Sequence, residues 1–251
     1  MLLASASPRR RELLALLGLL FEVTVADVDE DPLADEAPAT LVARLSQAKA
    51  HAAGAAVGQA FQPANAGATV LPPLPSDRPT APAPALAKPV VVIACDTVVA
   101  LDGQLLGKPG NPAEATTMLR RLRGRFHDVY TAVTLLSASR PPTGRLSTAV
   151  ARTRVVMRAY TDAEIAAYVA SGDPLDKAGA YAIQHAGFHP VAQVQGCYVN
   201  VVGLPLCHLT RCLRAWNIKP LDDVPTACQA HTGRVCKVYA DILNEAMKNE
   251  E

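Results

Sequence analysis

Apolar and polar positions along the chain alternate between a helical and an extended period, which predicts an α/β domain. From Ser7 to Gly18 both helix ends are marked. Ser7 suits the N-cap, Pro8 the first helical position and Gly18 the residue after the last turn. Phe21 to Val28 reads as a strand, and Thr40 caps an Ala-rich helix to about Val57, in which Leu41 and Leu45 share a face with Ala48. The β-branched run Val90 to Ile93 predicts a buried strand. A second run, Val98 to Leu101, turns at Asp102-Gly103, a strong hairpin signal, and returns through Leu105 and Leu106 to Lys108.

Further on, Asn111 and Pro112 open a helix that Gly124 stops, and His127 to Leu136 reads as a strand. A turn follows at Arg140 to Gly144, then a strand from Thr148 to Tyr160. Thr161 and Glu164 form a capping box for a helix ending near Ser171-Gly172. Gly196 to Pro205 is expected as a strand and tight turn, and Leu206 to Trp216 as a final amphipathic helix. Residues 59–89 differ in kind: eight of the twenty prolines lie there with almost no charge, which predicts an extended surface insertion.

Composition narrows the classes. A chain of 251 residues that is 50% hydrophobic supports a substantial core. With 24 basic and 23 acidic residues, the net charge of +1 argues against a whole-surface nucleic-acid or membrane binder, so an anion site must be local. No apolar run is long enough to span a bilayer, and the charges at the start follow the short apolar part, the wrong order for a signal peptide. A cytoplasmic enzyme or binding protein is expected, its six cysteines reduced.

Three stretches carry chemistry. Asp96 and Thr97 stand where the first β-branched run ends, a position that suits catalysis or metal binding, or else a turn cap, and the hairpin can return Lys108 near Asp96. Arg9, Arg10 and Arg11 crowd a helix start whose dipole disfavours cations. A phosphate resolves that conflict by accepting from free backbone N–H groups, the Ser5 or Ser7 hydroxyl and an arginine fork. In the acidic cluster Asp27, Asp29, Glu30 and Asp31, one or two carboxylates are what Mg²⁺ needs. Lys49 is expected at the edge of its helix's buried face. In Asp173 to Gln184, small residues at 178–180 let a ligand approach the backbone, with Asp176, Lys177 and Gln184 around it. The Cys and His residues of the last two segments lack a Cys-x-x-Cys pair, so packed thiols are the reading preferred to a zinc site.

Ser-x-Ser-Pro-Arg-Arg at 5–10, Asp96-Thr97 with Lys108-Pro109, Asp-Lys-Ala-Gly-Ala-Tyr at 176–181 and Gly-Leu-Pro at 203–205 together resemble the Maf family of nucleoside triphosphate pyrophosphatases, also known as septum formation inhibitors. The resemblance covers about residues 1–215 apart from the insertion, and leaves 216–251 as an extension. It implies a mixed twisted sheet flanked by helices, two lobes with a central cleft (Maf/inosine triphosphate pyrophosphatase-like), and a homodimer. It also implies hydrolysis of a nucleoside triphosphate between its α and β phosphates with Mg²⁺ or Mn²⁺. Asp96 falls on the proton acceptor, Ser5, Arg9, Arg10, Lys49 and Lys108 on substrate-binding positions, and Glu30 with Asp96 on the metal. Arg9, Thr97 and Gln184 look like the branch that prefers dTTP and UTP over 7-methyl-GTP. The family usually has glycine where this chain has Ala182 and His185. The rival readings are a 7-methyl-GTP or modified-nucleotide pyrophosphatase and a nucleotide-binding division regulator without turnover; neither a membrane nor a nucleic-acid partner is expected.

Overall fold

The computed structural model describes residues 1–60, 90–138 and 144–245. Among them, one mixed sheet of seven strands is built from β1 Leu2–Ala4, β2 Glu22–Thr24, β3 Val90–Leu101, β4 Gln104–Leu106, β5 Phe126–Ala138, β6 Leu146–Met157 and β7 Val191–Gln195. The spatial order is β2-β1-β3-β5-β6-β7, with β4 also paired to β3. β1 lies parallel to β2 and β3, and the remaining pairs are antiparallel. The helices are α1 Pro8–Ala15, α2 Pro38–Ala60, α3 Pro112–Leu122, α4 Asp162–Ala170, α5 Tyr198–Val202, α6 Leu206–Ala215, α7 Val224–Thr232 and α8 Tyr239–Asn244. An α/β fold with a mixed sheet flanked by helices is therefore what the chain forms. The predicted insertion at 59–89, from residue 61 onward, and most of the turn at 140–144 lie outside the described residues.

Local signals set the helix starts. Ser7 accepts from the Arg10 N–H, Asn111 from the Glu114 N–H, and Thr161 with Glu164 completes a capping box. The hairpin turn is as expected too: Asp102 and Gly103 both have positive φ, at 51° and 79°, which a two-residue turn of the right twist requires. α2 differs slightly, starting at Pro38, so Thr40 sits in its first turn rather than at its cap.

Two predicted elements are corrected by long-range pairing. The two runs around Asp96 are one strand of 12 residues, because β5 pairs with β3 continuously from Val90 to Ala100. Asp96 is therefore mid-strand rather than at a strand end. The expected strand at 196–205 contains the helical turn α5 despite its β-branched residues. Asn200 decides it: buried in the turn, its Nδ2 donates to Val129 O and Thr153 Oγ1 at 3.0 and 2.9 Å, bonds that outweigh weak propensity. Likewise only Glu22–Thr24 of the predicted strand at 21–28 pairs.

The opposite edge of β3 is covered at its two ends alone. β1 pairs with Val92–Ala94 and β4 with Val99–Leu101. Between them the edge is open. Alternation then sends successive side chains to different layers. Val92 and Ala94 pack on Ala50 and Ala53 of α2, whereas Ile93 and Cys95 pack on Leu13, Leu14 and Leu17 of α1. On that second face another apolar cluster, Val99 and Leu101 with Leu119 and Ile165, holds α3 and α4. These two clusters form the two lobes, and the cleft lies between them at the open edge.

α7 and α8 pack back onto the first lobe. Val224 is buried, with Cys228, Val238 and Ile242 against the same cluster, and Leu221 donates its N–H to Leu17 O at 3.0 Å. Deleting residues 221–251 should destabilise the fold by on the order of 2–4 kcal/mol through uncovered apolar surface. Calorimetry of full-length and shortened chains checks this, and an unchanged unfolding midpoint would refute it.

Candidate active site

A cavity of about 450 Å³ opens at the uncovered edge of β3. Of the eleven residues read from the sequence as site residues, ten line it: Ser5, Arg9, Arg10, Glu30, Lys49, Thr97, Lys108, Asp176, Lys177 and Gln184. Asp96 is set back from the wall, 7% exposed. Its place follows from the strand: Asp96 faces α2 and Thr97 faces α1, so the cavity wraps around the edge and draws on both faces of the sheet.

On the α2 face one ammonium joins two carboxylates. Lys49 Nζ lies 2.6 Å from Asp96 Oδ1 and 2.6 Å from Glu30 Oε1. The Lys49 side chain is 12% exposed and that of Glu30 54%, so the pair has a buried and an open end. Partial burial raises the Glu30 carboxyl, but the hydrogen bond and charge of Lys49, with Lys108 and Arg10 behind it, outweigh this and hold it below the usual carboxylate range. Of the other acidic-loop residues, Asp29 accepts from the Asp31 N–H at 2.9 Å and shapes the turn.

On the α1 face Arg10 is largely committed to the protein. Its Nε donates to Gly203 O at 2.9 Å, Nη1 to Cys95 O at 2.9 Å and Ser5 Oγ at 3.3 Å, and Nη2 to Thr97 Oγ1 at 3.1 Å. Four of its five N–H groups are thereby used, leaving one for a ligand. The Cys95 carbonyl is one that the open edge leaves without a strand partner, so Arg10 substitutes for the missing ladder. Gly203, in the Gly-Leu-Pro motif, has φ 117°, and a Cβ there would stand 3.3 Å from Arg10 Nε. Arg9 and Lys108 line the cavity with no hydrogen bond or ion pair among the described residues, and are the cations open to a ligand.

Lys177 is likewise a strut. Its three donors go to Asp173 O, Asp173 Oδ1 and Asp176 Oδ1 at 2.6, 2.9 and 2.5 Å, clamping the 3₁₀ turn Asp173–Asp176. Gly179, with φ 71°, lets the next turn rest against Val99, where a Cβ would meet the valine at 3.2 Å. Neither Ala182 nor His185 has positive φ, so the loss of glycine there brings no backbone strain. His185 instead braces the loop, its Nδ1 accepting from the Phe188 N–H at 2.9 Å and its ring 4.6 Å from that of Tyr168.

Sequence reading missed Thr131, Asn200 and His127, all buried. Each is a polar residue within a segment read only for its secondary structure, and its place beside apolar residues was the available signal. His127 Nε2 pairs with the Tyr181 hydroxyl at 2.8 Å, tying β5 to the wall of the cavity. Burial pushes its imidazole down to about 4, with Asp128 opposing, and burial with Arg211 does the same to His208. Between the unfolded value near 6.5 and about 4, the unfolded chain binds protons that the folded chain refuses. Stability is then whole above that window and falls as pH drops through it. Denaturant titrations should lose on the order of 1–2 kcal/mol per histidine from pH 7 to pH 5, and His127→Phe should flatten the slope. An equally steep slope in the variant would exclude His127 as its source.

An α/β sheet with a cleft at its interrupted edge, lined by free cations beside a carboxylate pair, defines a protein built to hold a polyanion. The particular family follows from the sequence: the chain belongs to the Maf-like protein family, whose profile matches residues 1–216. A relative from Myxococcus xanthus (strain DK1622), named dTTP/UTP pyrophosphatase, is 46% identical over 206 residues, 82% of this chain and 87% of that one. Relatives of the same name from Salinibacter ruber (strain DSM 13855 / M31) and Moorella thermoacetica (strain ATCC 39073 / JCM 9320) are 44% and 41% identical, over 86% and 87% of this chain and 90% and 95% of theirs.

Proposed function

We propose that this chain is a nucleoside triphosphate pyrophosphatase that hydrolyses dTTP and UTP to the monophosphate and pyrophosphate. The observation that carries this reading is the meeting of Arg9, Lys49, Lys108 and Glu30 at one cavity, with the Asp96 carboxylate bonded to Lys49 behind its wall. The names of the relatives support the same reaction and substrates. In this reading a water oxygen attacks the α-phosphorus, the bond from that phosphorus to the bridging oxygen breaks, and pyrophosphate departs with the bridging oxygen. Asp96 takes the proton of the attacking water. Arg9 and Lys108 hold phosphate oxygens and stabilise the charge that moves onto the leaving group.

The donor set also fits a divalent metal. Two carboxylates already converge on the single positive charge of Lys49, and no third His, Cys, Asp or Glu joins them among the described residues. That is the sparse oxygen set Mg²⁺ accepts, its remaining ligands being phosphate oxygens and water. When bound by Glu30 and Asp96, such a cation would polarise the α-phosphoryl group. A homodimer, which rests on the family resemblance, and a cytoplasmic location, which rests on the sequence reading, belong to the same proposal.

Pyrophosphate release should be measured from dTTP, UTP, CTP, GTP, ATP and 7-methyl-GTP with Mg²⁺ or Mn²⁺. Release is expected from dTTP and UTP, and Asp96→Asn should lower kcat by about 10³-fold with its thermal midpoint retained. Near-normal turnover in that variant would remove Asp96 from its role as base. No release from any nucleotide by the unaltered protein would sink the whole reading. Arg9→Ala should raise KM for UTP by about tenfold; unchanged KM and kcat would show that this arginine does not touch the triphosphate.

A further inference from the structure

Thr97 carries one proton and two acceptor lone pairs, and its neighbours decide where each one goes. Thr131 Oγ1 donates to the Asn200 carbonyl at 2.9 Å, a group that can only accept. The single Thr131 proton is thereby committed. In the 3.0 Å contact between the two hydroxyls, Thr97 must then be the donor. Arg10 Nη2, which can only donate, occupies one Thr97 lone pair at 3.1 Å. What Thr97 turns towards the cavity is its last lone pair. Thr131 and Asn200 are both 0% exposed, so water has no access to reverse the chain of donors. Asn200 is itself pinned by Val129 O and Thr153 Oγ1.

We propose that Thr131 and Asn200 are positioning residues that fix the Thr97 hydroxyl as a pure acceptor, and that this fixed polarity selects uracil and thymine over cytosine. The inference rests on the proposed function and adds the source of its selectivity. Val99, Ile183 and Val201, which belong to the second lobe on the Thr97 face, line the same cavity and suit the flat face of a base. Gln184 cannot discriminate alone. Its exposed amide has no hydrogen bond among the described residues, and a half-turn presents donor and acceptor in either order, matching uracil or cytosine equally. A group of fixed polarity can discriminate. Uracil and thymine carry a hydrogen on the central ring nitrogen of the pairing edge, which the Thr97 lone pair accepts. Cytosine has a lone pair on that nitrogen, so two acceptors would face each other away from water.

The test compares kcat/KM for UTP and CTP in the unaltered protein, Thr131→Val and Thr131→Ser. Thr131→Val releases the Thr97 proton to point into the cavity, and the UTP:CTP ratio should fall by about tenfold, chiefly through better use of CTP. Thr131→Ser keeps the hydroxyl and should restore the ratio. Both substrates are measured on one preparation, so the ratio is insensitive to the folded fraction; Thr131→Ala serves the same comparison if the valine overpacks. An unchanged ratio in Thr131→Val or its alanine substitute overturns the inference, and so does equal use of UTP and CTP by the unaltered protein; either leaves the pyrophosphatase reading standing. Absence of pyrophosphate release from every nucleotide overturns both.

Discussion

The structure depends on an asymmetry in how β3 is paired. β5 satisfies one edge from Val90 to Ala100, while β1 and β4 together leave the middle of the other edge uncovered. An open strand edge inside a protein exposes backbone groups that need partners. Here a side chain supplies one: Arg10 donates to the Cys95 carbonyl from the first turn of a helix that Ser7 caps. The same guanidinium holds Ser5, Thr97 and Gly203, so three segments distant in sequence meet on one planar group. Its rigid fork makes it suited to this, where a lysine would hold one point only. Cations at a helix start look misplaced against the dipole, and for Arg10 the resolution is structural first.

The interruption also explains why adjacent residues do different work. Because the strand alternates, Asp96 and Thr97 belong to opposite layers, and only at an uncovered edge can one ligand reach both. The α2 layer supplies charge through Lys49, Glu30 and Asp96, and the α1 layer supplies hydroxyls of set direction. Buried polar groups are costly unless bonded, and in the chain from Thr97 through Thr131 to the Asn200 backbone carbonyl each hydroxyl donor faces one acceptor. It lies between the two apolar clusters on that face and so marks where the lobes meet.

What was legible in the sequence was what short-range chemistry fixes. The caps at Ser7, Asn111 and Thr161 and the Asp102-Gly103 turn need only their own neighbours, and all four form as read. The unbroken course of β3 and the helical turn α5 depend on β5 and on the hydrogen bonds of Asn200, partners remote in sequence. Propensity could not see them. The cavity residues were legible as charges and small residues in motifs, but their division of labour was not. Arg9 and Arg10 are neighbours of one type, yet one is open and the other committed, and only the helix phase relative to Gly203 and Cys95 distinguishes them. Thr131 and His127 were read only as parts of a strand, because a single polar residue in a strand carries no motif.

Order is therefore uneven across the cavity. On the α1 side Arg10, Thr97, Thr131 and Asn200 are mutually bonded and mostly buried, so a ligand meeting them finds dipoles already aimed and incurs little ordering entropy. On the α2 side Glu30 is half open, and elsewhere on the wall Arg9 of α1 and Lys108 beyond β4 have no hydrogen bond or ion pair among the described residues. A flexible polyanion with several equivalent oxygens needs charge more than fixed direction, because it can turn to meet cations wherever they stand. A flat heterocycle cannot adapt in that way, and its edge is told apart by donors and acceptors alone. Fixed dipoles and unpartnered cations in one cavity thus match the two chemical parts of a nucleotide.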